Sequence, residues 1–260
     1  MKYETIEVFK EDHVFTIFLN RPDLNNAMNE QLIKELTDCF KKLNKDKEIR
    51  IIVLTGKGKS FCAGADLNWM KSMINYSNTE NIKDSNLLLD LYETINNCSK
   101  PVIAKVNGHA FGGGIGLFAV CDITIAIPNC IFAFSEVKLG IIPAVISTYI
   151  SKRMKLSDMR RLFITGERFD SNYAKTMGLI DMVVAEEELD KSVKKYINIL
   201  FSSSPNAISE VKKLLYAYDK MNKEKYKKFT VEKIAELRIS KEGQEGISAF
   251  LNKRKSKWSQ

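Results

Sequence analysis

Residues 111–118 read Phe-Gly-Gly-Gly-Ile-Gly-Leu-Phe, so four of the five positions 112–116 are glycine. Glycine loses more backbone freedom on folding than any other residue, and a cluster of it indicates a loop that another group approaches closely. The apolar residues Pro101–Val106 before this stretch predict a strand, and the apolar residues after it predict a helix that ends near Val120. The order is therefore a strand, a glycine loop and a helix start.

The glycine loop could serve a phosphate, an oxyanion or only the close packing of a helix against a sheet. The G-x-G-x-x-G frame fails because position 117 is Leu, and the G-x-x-x-x-G-K-[ST] frame fails because no Lys follows. Backbone N–H groups at a helix N-terminus lack an intrahelical partner, so they can hold a substrate oxygen that becomes negative. A second loop of small residues, 61–67, also follows a predicted strand and precedes a helix. Two such loops favour an oxyanion hole, with close packing as the alternative.

Short apolar strands alternate with helices along most of the chain. The predicted strands are His13–Leu19, Ile49–Leu54, Pro101–Val106, Asp122–Ile127, Ile131–Phe134 and Met182–Val184. The predicted helices begin at Asn29, cover 67–98 with a break near 77–79, follow the glycine loop, and fill most of the chain after Gly140. This alternation predicts an α/β fold with parallel strand pairing. The segment Ser202–Pro205 is a candidate boundary between an α/β body and a C-terminal helical arm.

The composition argues against several kinds of protein. Five cysteines occur without a C-x-x-C pair and only two histidines are present, so we expect neither a disulfide framework nor a metal site. No segment reaches the roughly 20 apolar residues that span a bilayer, and the first residues lack the apolar run of a signal peptide. We therefore expect a cytoplasmic protein with no membrane partner. The net charge of +8 fits a solvated helical face, a phosphate-bearing ligand or nucleic acid.

Short motifs over nearly the whole chain resemble those of the enoyl-CoA hydratase/isomerase family, the crotonases. The matching motifs are Asn20-Arg21-Pro22 with Asn26-Ala27, Ala63 to Leu67, Asn107-Gly108 with Gly112 to Gly114, Cys121-Asp122, Glu136 with Leu139 to Pro143, Thr165-Gly166, Gly178-Leu179, and Glu245-Gly246 with Lys253 to Lys255. The flanks of Asp66 and Glu136 look most like bacterial hydratases of the methylglutaconyl-CoA and isohexenylglutaconyl-CoA type. The resemblance implies an acyl-CoA lyase that adds water across the 2,3 double bond of an enoyl-CoA, with a branched glutaconyl-type thioester as one option and no cofactor.

The same resemblance implies the fold and the assembly. The fold would be a crotonase (ClpP-like) spiral of repeated ββα units with a C-terminal helical arm. Residues 1–200 would form the core with the acyl-CoA site, and residues 201–260 would form the arm, which serves oligomerisation and the CoA pocket. A homo-trimer or homo-hexamer is implied. The CoA phosphates would be held by Lys253, Arg254 and Lys255, across a subunit boundary as one option.

The resemblance also implies the site residues. The N–H groups of Ala65 and Gly113 would hold the thioester oxygen, and Glu136 would act as acid and base. The apolar residues before Glu136 predict partial burial and a raised pKa for its carboxyl group. The implied substrate-binding residues are Gly64, Ala65, Asp66, Leu67, Asn68, Trp69, Gly112, Gly113 and Pro143. Trp69 would line the acyl pocket unless it is ordinary core, and the lone His109 is expected to be structural.

Gly116 departs from the family pattern, because hydratases of this family usually have a second glutamate at that place. Three explanations are open. Glu136 could move a proton within the substrate, as in the family's isomerases, which shift a C=C bond from the 3 to the 2 position. Hydration could use a water held by Asp66, Ser147, Thr148 or a carboxylate of the substrate, for which a neutral residue at 116 would leave room. Activity could also be reduced or lost.

A function of another class, RNA binding on the same scaffold, is suggested by the isoelectric point of about 9.1 and by the lysine runs near the C-terminus. Such a protein would show a steep dependence on salt and no need for a thioester. The aromatic residues among those lysines have a spacing that fits helix packing better than base stacking. We therefore do not expect nucleic acid to be the main partner.

Overall fold

The computed structural model describes residues 2–259, in which ten strands form two sheets. The strands are β1 (Ile6–Glu11), β2 (Val14–Leu19), β3 (Ile51–Gly56), β4 (Ser60–Cys62), β5 (Val102–Val106), β6 (His109–Phe111), β7 (Ile123–Ala126), β8 (Ile131–Ala133), β9 (Phe169–Asp170) and β10 (Met182–Val183). The long sheet has the order β1-β2-β3-β5-β7-β10, and the short sheet has the order β4-β6-β8-β9. Pairing is parallel except between β1 and β2 and between β8 and β9.

The long sheet is covered on both faces, which explains why its central strands β3, β5 and β7 are mostly apolar, with Thr55, Lys105 and Thr124 as the exceptions. Every residue of β3 is buried. Side chains alternate between the two faces of a strand. Accordingly, Ile52 and Leu54 belong to the main core, whereas Ile51 and Val53 pack in a second cluster with residues of the helix at 189–201. The sequence prediction for this sheet is confirmed for five strands, and it missed the largely exposed β1.

The short sheet gives the chain its repeating unit. Each of β3, β5 and β7 is followed by a short strand, β4, β6 or β8, and then by a helical segment. This is the ββα repeat that the resemblance implied, and the expected α/β spiral fold is confirmed. The sequence prediction included no strand between Leu54 and the small residues of 61–67, which is wrong, because Ser60 and Cys62 of β4 pair with β6.

Eleven α-helices occur within the described residues. They are α1 (Glu30–Lys45), α2 (Leu67–Met73), α3 (Asn78–Asn96), α4 (Gly113–Ala119), α5 (Ala144–Ile150), α6 (Leu156–Thr165), α7 (Ser171–Thr176), α8 (Leu189–Phe201), α9 (Pro205–Lys220), α10 (Lys223–Ile239) and α11 (Lys241–Leu251). The predicted break near 77–79 is confirmed, because Ser77 caps α3 in a capping box with Glu80. Of the helices in residues 2–259, none is both long and apolar enough to cross a membrane.

Arg50 ties the C-terminal helices to the long sheet. Its guanidinium donates hydrogen bonds to the backbone carbonyls of Trp258 (2.6 Å), Ser203 (3.0 Å) and Phe201 (3.2 Å). Arg50 precedes β3 directly, so these bonds hold the chain end at the amino end of the central strands. The residues after α11 therefore lie at the edge of the sheet from which the parallel strands start.

Candidate active site

Three segments meet at the carboxyl ends of neighbouring parallel strands in the short sheet. Ala65 comes three residues after β4, Gly113 two residues after β6, and Glu136 three residues after β8. The N–H of Gly112 donates to the carbonyl of Ala133 at 3.0 Å, which joins the ends of β6 and β8. Carboxyl ends of parallel strands are where open α/β sheets commonly place their ligands. The short sheet therefore brings the three sequence-predicted catalytic positions together.

Ala65 lies in an extended segment that pairs with Met28. The N–H of Met28 donates to the carbonyl of Gly64 at 2.7 Å, and the N–H of Asp66 donates to the carbonyl of Met28 at 2.8 Å. In such a pairing the peptide N–H of the middle residue points to the other side. Across the described chain, the N–H of Ala65 accordingly donates to no protein acceptor. Ala65 is exposed, so a ligand can reach this donor.

Gly113 is the first residue of α4, and its N–H also has no acceptor within residues 2–259. Such N–H groups carry partial positive charge at a helix start. The preceding Gly112 has φ +49°, and a Cβ there would lie 2.9 Å from Oε1 of Glu136. A Cβ on Gly64 would lie 2.8 Å from the carbonyl oxygen of Phe111, which comes just before the glycines. Both loops therefore need glycine because backbone and carboxylate approach them closely.

Glu136 sits in a 3-10 turn over Ser135–Leu139 and is half-buried. Its Oε2 is buried and lacks a hydrogen-bond partner in the described part of the chain. Burial raises the pKa of its carboxyl group, and a bond to its own backbone N–H opposes this only in part. The predicted partial burial and raised pKa are confirmed. A buried carboxylate oxygen without a partner is unfavourable in a purely structural glutamate, and it suits an acid or base that awaits a substrate.

Gly116 is buried within α4, and the volume beside it is filled. A Cβ there would lie 2.6 Å from Cγ2 of Ile146 and 2.8 Å from both Cζ and Oη of Tyr92. A glutamate therefore cannot enter this place unless Tyr92 and Ile146 move. The structure also corrects one explanation of the glycine: it does not leave room for a carboxylate of the substrate, because a tyrosine and an isoleucine occupy that room.

Two of the three polar residues offered as substitutes for a second glutamate, Asp66 and Ser147, are engaged in local structure, whereas Thr148 is exposed and its hydroxyl forms no hydrogen bond within residues 2–259. One oxygen of Asp66 accepts from the N–H groups of Asn68 (2.8 Å) and Trp69 (3.3 Å), and the other pairs with Arg21 at 2.8 Å. Burial tends to raise the pKa of Asp66, but these bonds outweigh it and lower the pKa. The hydroxyl of Ser147 donates to the carbonyl of Ala144 at 2.6 Å. Asp66 thus caps α2 and holds Arg21.

The other residues predicted to bind the substrate differ in their exposure. Leu67 and Asn68 are exposed at the start of α2, while Trp69 is half-buried and donates from Nε1 to Asp84 at 3.2 Å. Pro143 is buried directly before α5. Nδ1 of His109 accepts from the N–H of Ile131 at 2.9 Å, which bears out its expected structural role.

The basic residues near the C-terminus lie apart from these segments. Arg254 forms a two-pronged ion pair with Glu245 at 2.7 and 2.9 Å, which leaves little of its guanidinium for a phosphate. The side chains of Lys253 and Lys255 are exposed and form no ion pair within residues 2–259. No hydrogen bond or ion pair joins these three residues to Ala65, Gly113 or Glu136 in the described chain.

Tyr92 is a site residue that sequence reasoning missed. It is fully buried on α3, and its Oη donates to the carbonyl of Gly113 at 2.7 Å. Burial and the charges of nearby groups, Glu136 among them, raise the pKa of this phenol well above its ordinary value. A tyrosine on an apolar helix face carries no motif, and only the unusual glycine at 116 hinted that something large lies opposite.

Comparison with known proteins identifies the family. A family model described as enoyl-CoA hydratase/isomerase matches residues 10–260. A crotonyl-CoA hydratase from Syntrophomonas wolfei is 33% identical over 258 residues, which cover 98% of this chain and 98% of that protein. A short-chain-enoyl-CoA hydratase from Clostridium acetobutylicum is 32% identical over 257 residues, covering 98% and 97% of the two chains. The crystal structure of an enoyl-CoA hydratase from Shewanella pealeana has a TM-score of 0.95 at 36% identity, and the match covers 99% of this chain and 97% of that one.

Proposed function

The chain belongs to the enoyl-CoA hydratase/isomerase family, and from this premise we propose that it adds water across the 2,3 double bond of an enoyl-CoA thioester. Glu136 is the acid and base, and the N–H groups of Ala65 and Gly113 hold the thioester oxygen. One observation carries the proposal: within residues 2–259 the buried Oε2 of Glu136 has no hydrogen-bond partner, and this carboxylate lies against Gly112, next to the N–H of Gly113, which has no acceptor there either.

The proposed reaction balances with one carboxylate. The ionised Glu136 takes a proton from water while the water oxygen bonds to C3 of the substrate. The π electrons move to the thioester oxygen, which becomes negative and accepts hydrogen bonds from Ala65 and Gly113. Glu136 then returns the proton to C2, and the enolate collapses to the 3-hydroxyacyl thioester. Two preorganised donors at the developing charge can each contribute a few kcal/mol, which makes them the largest expected source of rate.

The pKa of Glu136 suits both halves of this cycle. A carboxylate with an ordinary pKa would be a weak base near neutral pH and would take the proton from water slowly, although its acid form would return the proton readily. Burial raises the pKa of Glu136 towards the working pH, where an acid–base catalyst is most effective. Because hydration begins with the ionised form, the rate should fall as the pH drops through this raised pKa.

Isomerisation is the second candidate, and the occupied volume at Gly116 is the observation that favours it. With one carboxylate, Glu136 can remove a proton from C2 of a 3-enoyl-CoA and return it to C4, through an enolate held by the same two N–H groups. No water is consumed in that reaction. The same residues would then move the double bond from position 3 to position 2.

The acyl group, the assembly and the residues that bind the CoA phosphates are proposed from the sequence resemblance. The substrate is a branched glutaconyl-type thioester, which the flanks of Asp66 and Glu136 favour, and its carboxylate binds away from residue 116, where Tyr92 and Ile146 fill the volume. Residues 201–260 act as an arm for assembly into a trimer or hexamer, and Lys253 and Lys255 bind the CoA phosphates of a neighbouring copy. The ammonium groups of these two lysines form no ion pair within residues 2–259, which leaves them available to a phosphate and supports the proposal.

An ultraviolet assay of the conjugated thioester separates the candidates. Crotonyl-, 3-methylcrotonyl-, 3-methylglutaconyl- and 3-enoyl-CoA are offered to the wild-type protein. Hydration removes conjugation and lowers the absorbance, whereas isomerisation of the 3-enoyl substrate creates conjugation and raises it. We expect a fall with at least one 2-enoyl substrate, and the largest kcat/KM with 3-methylglutaconyl-CoA. A rise with the 3-enoyl substrate alone would select the isomerase, and no change with any of them would refute both.

The contribution of the lysines is tested with the 3′-dephospho form of the preferred thioester. For the wild type, we expect the KM of the dephospho form to be several-fold higher than that of the normal substrate. Lys253→Ala and Lys255→Ala should each raise the KM of the normal substrate and leave the KM of the dephospho form unchanged. Lys34→Ala is the matched control, since Lys34 is exposed on α1 and paired with Glu30. Equal effects on both substrates would contradict the assignment.

A further inference from the structure

Tyr92 lies against both Gly113 and Gly116 of α4. Its side chain has 0% exposure, and it is among the largest fully buried side chains of the molecule. A buried hydroxyl requires a partner, and Tyr92 finds one in the carbonyl of Gly113 at 2.7 Å. The phenol therefore contacts the very residue whose N–H is proposed to hold the substrate oxygen.

Two side chains pack against Gly113 where a Cβ would lie. Such a Cβ would be 2.5 Å from Cε of Met28 and 3.0 Å from Oη of Tyr92, so both side chains approach the glycine backbone more closely than another residue would allow. Met28 in turn is hydrogen-bonded to Gly64 and Asp66, on either side of Ala65. Tyr92, Gly113, Met28 and the Ala65 loop therefore form one continuous set of contacts.

The side chain of Tyr92 and the glycine at 116 depend on each other. The phenol end of Tyr92 lies within 2.8 Å of where a Cβ of residue 116 would be. Tyr149 packs edge-on against the Tyr92 ring with 5.8 Å between centroids and limits its freedom on another side. Any side chain at 116 would push the phenol away from the carbonyl of Gly113.

We propose that Tyr92 is the positioning residue of the oxyanion hole, acting through its hydrogen bond to Gly113, and that Gly116 is required to keep the phenol in that place. The proposal rests on the proposed function. By fixing the carbonyl of Gly113, Tyr92 fixes the orientation of the first turn of α4 and of the N–H that the substrate oxygen meets. Tyr92 does not itself touch the substrate, and its raised pKa keeps it a neutral donor throughout the working pH range.

The test measures how strongly the site stabilises an enolate. Acetoacetyl-CoA loses its C2 proton to solvent on forming an enolate with a distinct ultraviolet absorbance, and a pH titration of the bound compound gives its apparent pKa. Tyr92→Phe keeps the ring and removes only the hydroxyl. We expect this variant to raise the pKa of bound acetoacetyl-CoA by about one unit and to lower kcat about tenfold with KM nearly unchanged, less than the loss of a direct donor. An unchanged pKa in Tyr92→Phe would overturn the proposal, even if the thermal midpoint falls.

Two further variants make the test specific. Gly116→Ala keeps the hydroxyl of Tyr92 but displaces it, so it should also raise the pKa of bound acetoacetyl-CoA. The double variant, Tyr92→Phe with Gly116→Ala, should raise this pKa no further than the single variant with the larger effect, because both substitutions break the same hydrogen bond. Additive effects would refute the coupling. Tyr149→Phe is the matched control, since no hydrogen bond of its hydroxyl occurs within residues 2–259, and it should leave the enolate pKa at the wild-type value.

Enolate stabilisation and hydration are measured independently, so the role of Tyr92 and the proposed function can fail separately. If the wild type stabilises the enolate but hydrates no substrate, the hydratase assignment fails and the role of Tyr92 is still decided by the titration. If the wild type does not lower the pKa of acetoacetyl-CoA relative to free solution, the oxyanion hole is absent and the role of Tyr92 falls with it.

Discussion

The two sheets of this protein differ in strand length, in burial and in what they contribute to the molecule. The long sheet has strands of up to six residues, and its central strand β3 is buried along its whole length between the main core and α8. The short sheet has strands of two or three residues. Yet the segments that leave β4, β6 and β8 carry Ala65, Gly113 and Glu136. Burial of apolar area in the long sheet stabilises the fold, while the short sheet mainly sets the mutual positions of three backbone segments.

This comparison predicts that substitutions in the long sheet mainly lower the free energy of unfolding, whereas substitutions at the end of the short sheet mainly lower kcat. The largest effect on stability is expected from Leu54→Ala in β3. Leu54 has 0% exposure, and removing a buried leucine side chain typically lowers the free energy of unfolding by about 3–5 kcal/mol. We expect this loss in urea-induced unfolding, with kcat of the folded variant within about twofold of the wild type, since no backbone at the site is displaced. A large loss of kcat with unchanged stability would contradict the division between the sheets.

The next largest effect is expected at the end of β6, and it falls on activity. Gly112→Ala brings a Cβ to 2.9 Å from Oε1 of Glu136 in a backbone with φ +49°, so the carboxylate or the loop must move. We expect kcat to fall about a hundredfold, equivalent to about 2.7 kcal/mol.

Gly140→Ala is the control for backbone strain in this experiment. Gly140 has φ +75° but no atom within 4 Å of an added Cβ, so it shares the strain and lacks the clash. It should lower stability by about 1–2 kcal/mol and keep kcat within severalfold of the wild type. Equal losses of kcat in the two variants would show that strain, not contact with Glu136, is responsible.

A smaller effect is expected where the two sheets join. The side chain of Asn26 is fully buried; its Oδ1 accepts from the N–H of Arg21 at 2.9 Å, and its Nδ2 donates to the carbonyls of Lys57 and Ser60, each at 2.8 Å. Asn26→Ala leaves these groups unsatisfied and should lower the free energy of unfolding by about 2 kcal/mol.

Asn25→Ala is the matched control, because Asn25 and Asn26 have φ of 50° and 55° but Asn25 is exposed. Both variants carry the same backbone strain, and Asn25→Ala removes only the bond that Ser60 Oγ donates to Asn25 Oδ1 at 3.2 Å, so their difference in unfolding free energy compares the three bonds of the buried Asn26 with one bond of Asn25. A difference near zero would mean that the connection between β3 and β4 does not depend on Asn26.

The smallest effect concerns the pH dependence of stability. Because burial raises the pKa of Glu136 in the folded state, the folded protein holds this proton more tightly than the unfolded chain does. That contribution is fully present below the ordinary glutamate pKa and is lost as the pH rises through the raised value. Glu136→Gln removes the unfavourable charge, so its thermal midpoint should exceed that of the wild type at pH 7, and the excess should vanish below about pH 4. A variant that is less stable at pH 7 would mean that the carboxylate stabilises the fold.

Much of the long sheet could be predicted because its central strands are mostly apolar segments between turn residues. The strands of the short sheet were less accessible, since two or three residues cannot display a period, and Ser60–Cys62 was hidden among small residues that resemble a loop. Even so, the glycines at 64 and 112 indicated close approaches, and both are explained by contacts with Phe111 and Glu136.

The contact between Tyr92 and Gly116 could not be predicted in this way. The two residues are far apart in sequence and lie on different helices, and packing between helices follows from the fold and not from a local pattern. The sequence indicated that a glutamate is missing at 116. Only the structure shows that a phenol occupies its place.

The central claim is that Glu136, at the end of the short sheet, is the carboxylate that moves the proton. The measurement that tests it most directly is the pH profile of kcat/KM for crotonyl-CoA hydration by the wild type and by Glu136→Gln. We predict that the wild-type rate falls on the acid side with a midpoint above the ordinary glutamate pKa of about 4.3. We predict that Glu136→Gln loses about a hundredfold to ten-thousandfold of this rate and has no such limb, while remaining folded. A Glu136→Gln variant that keeps more than a tenth of the wild-type rate, with the acid limb intact, would contradict the claim.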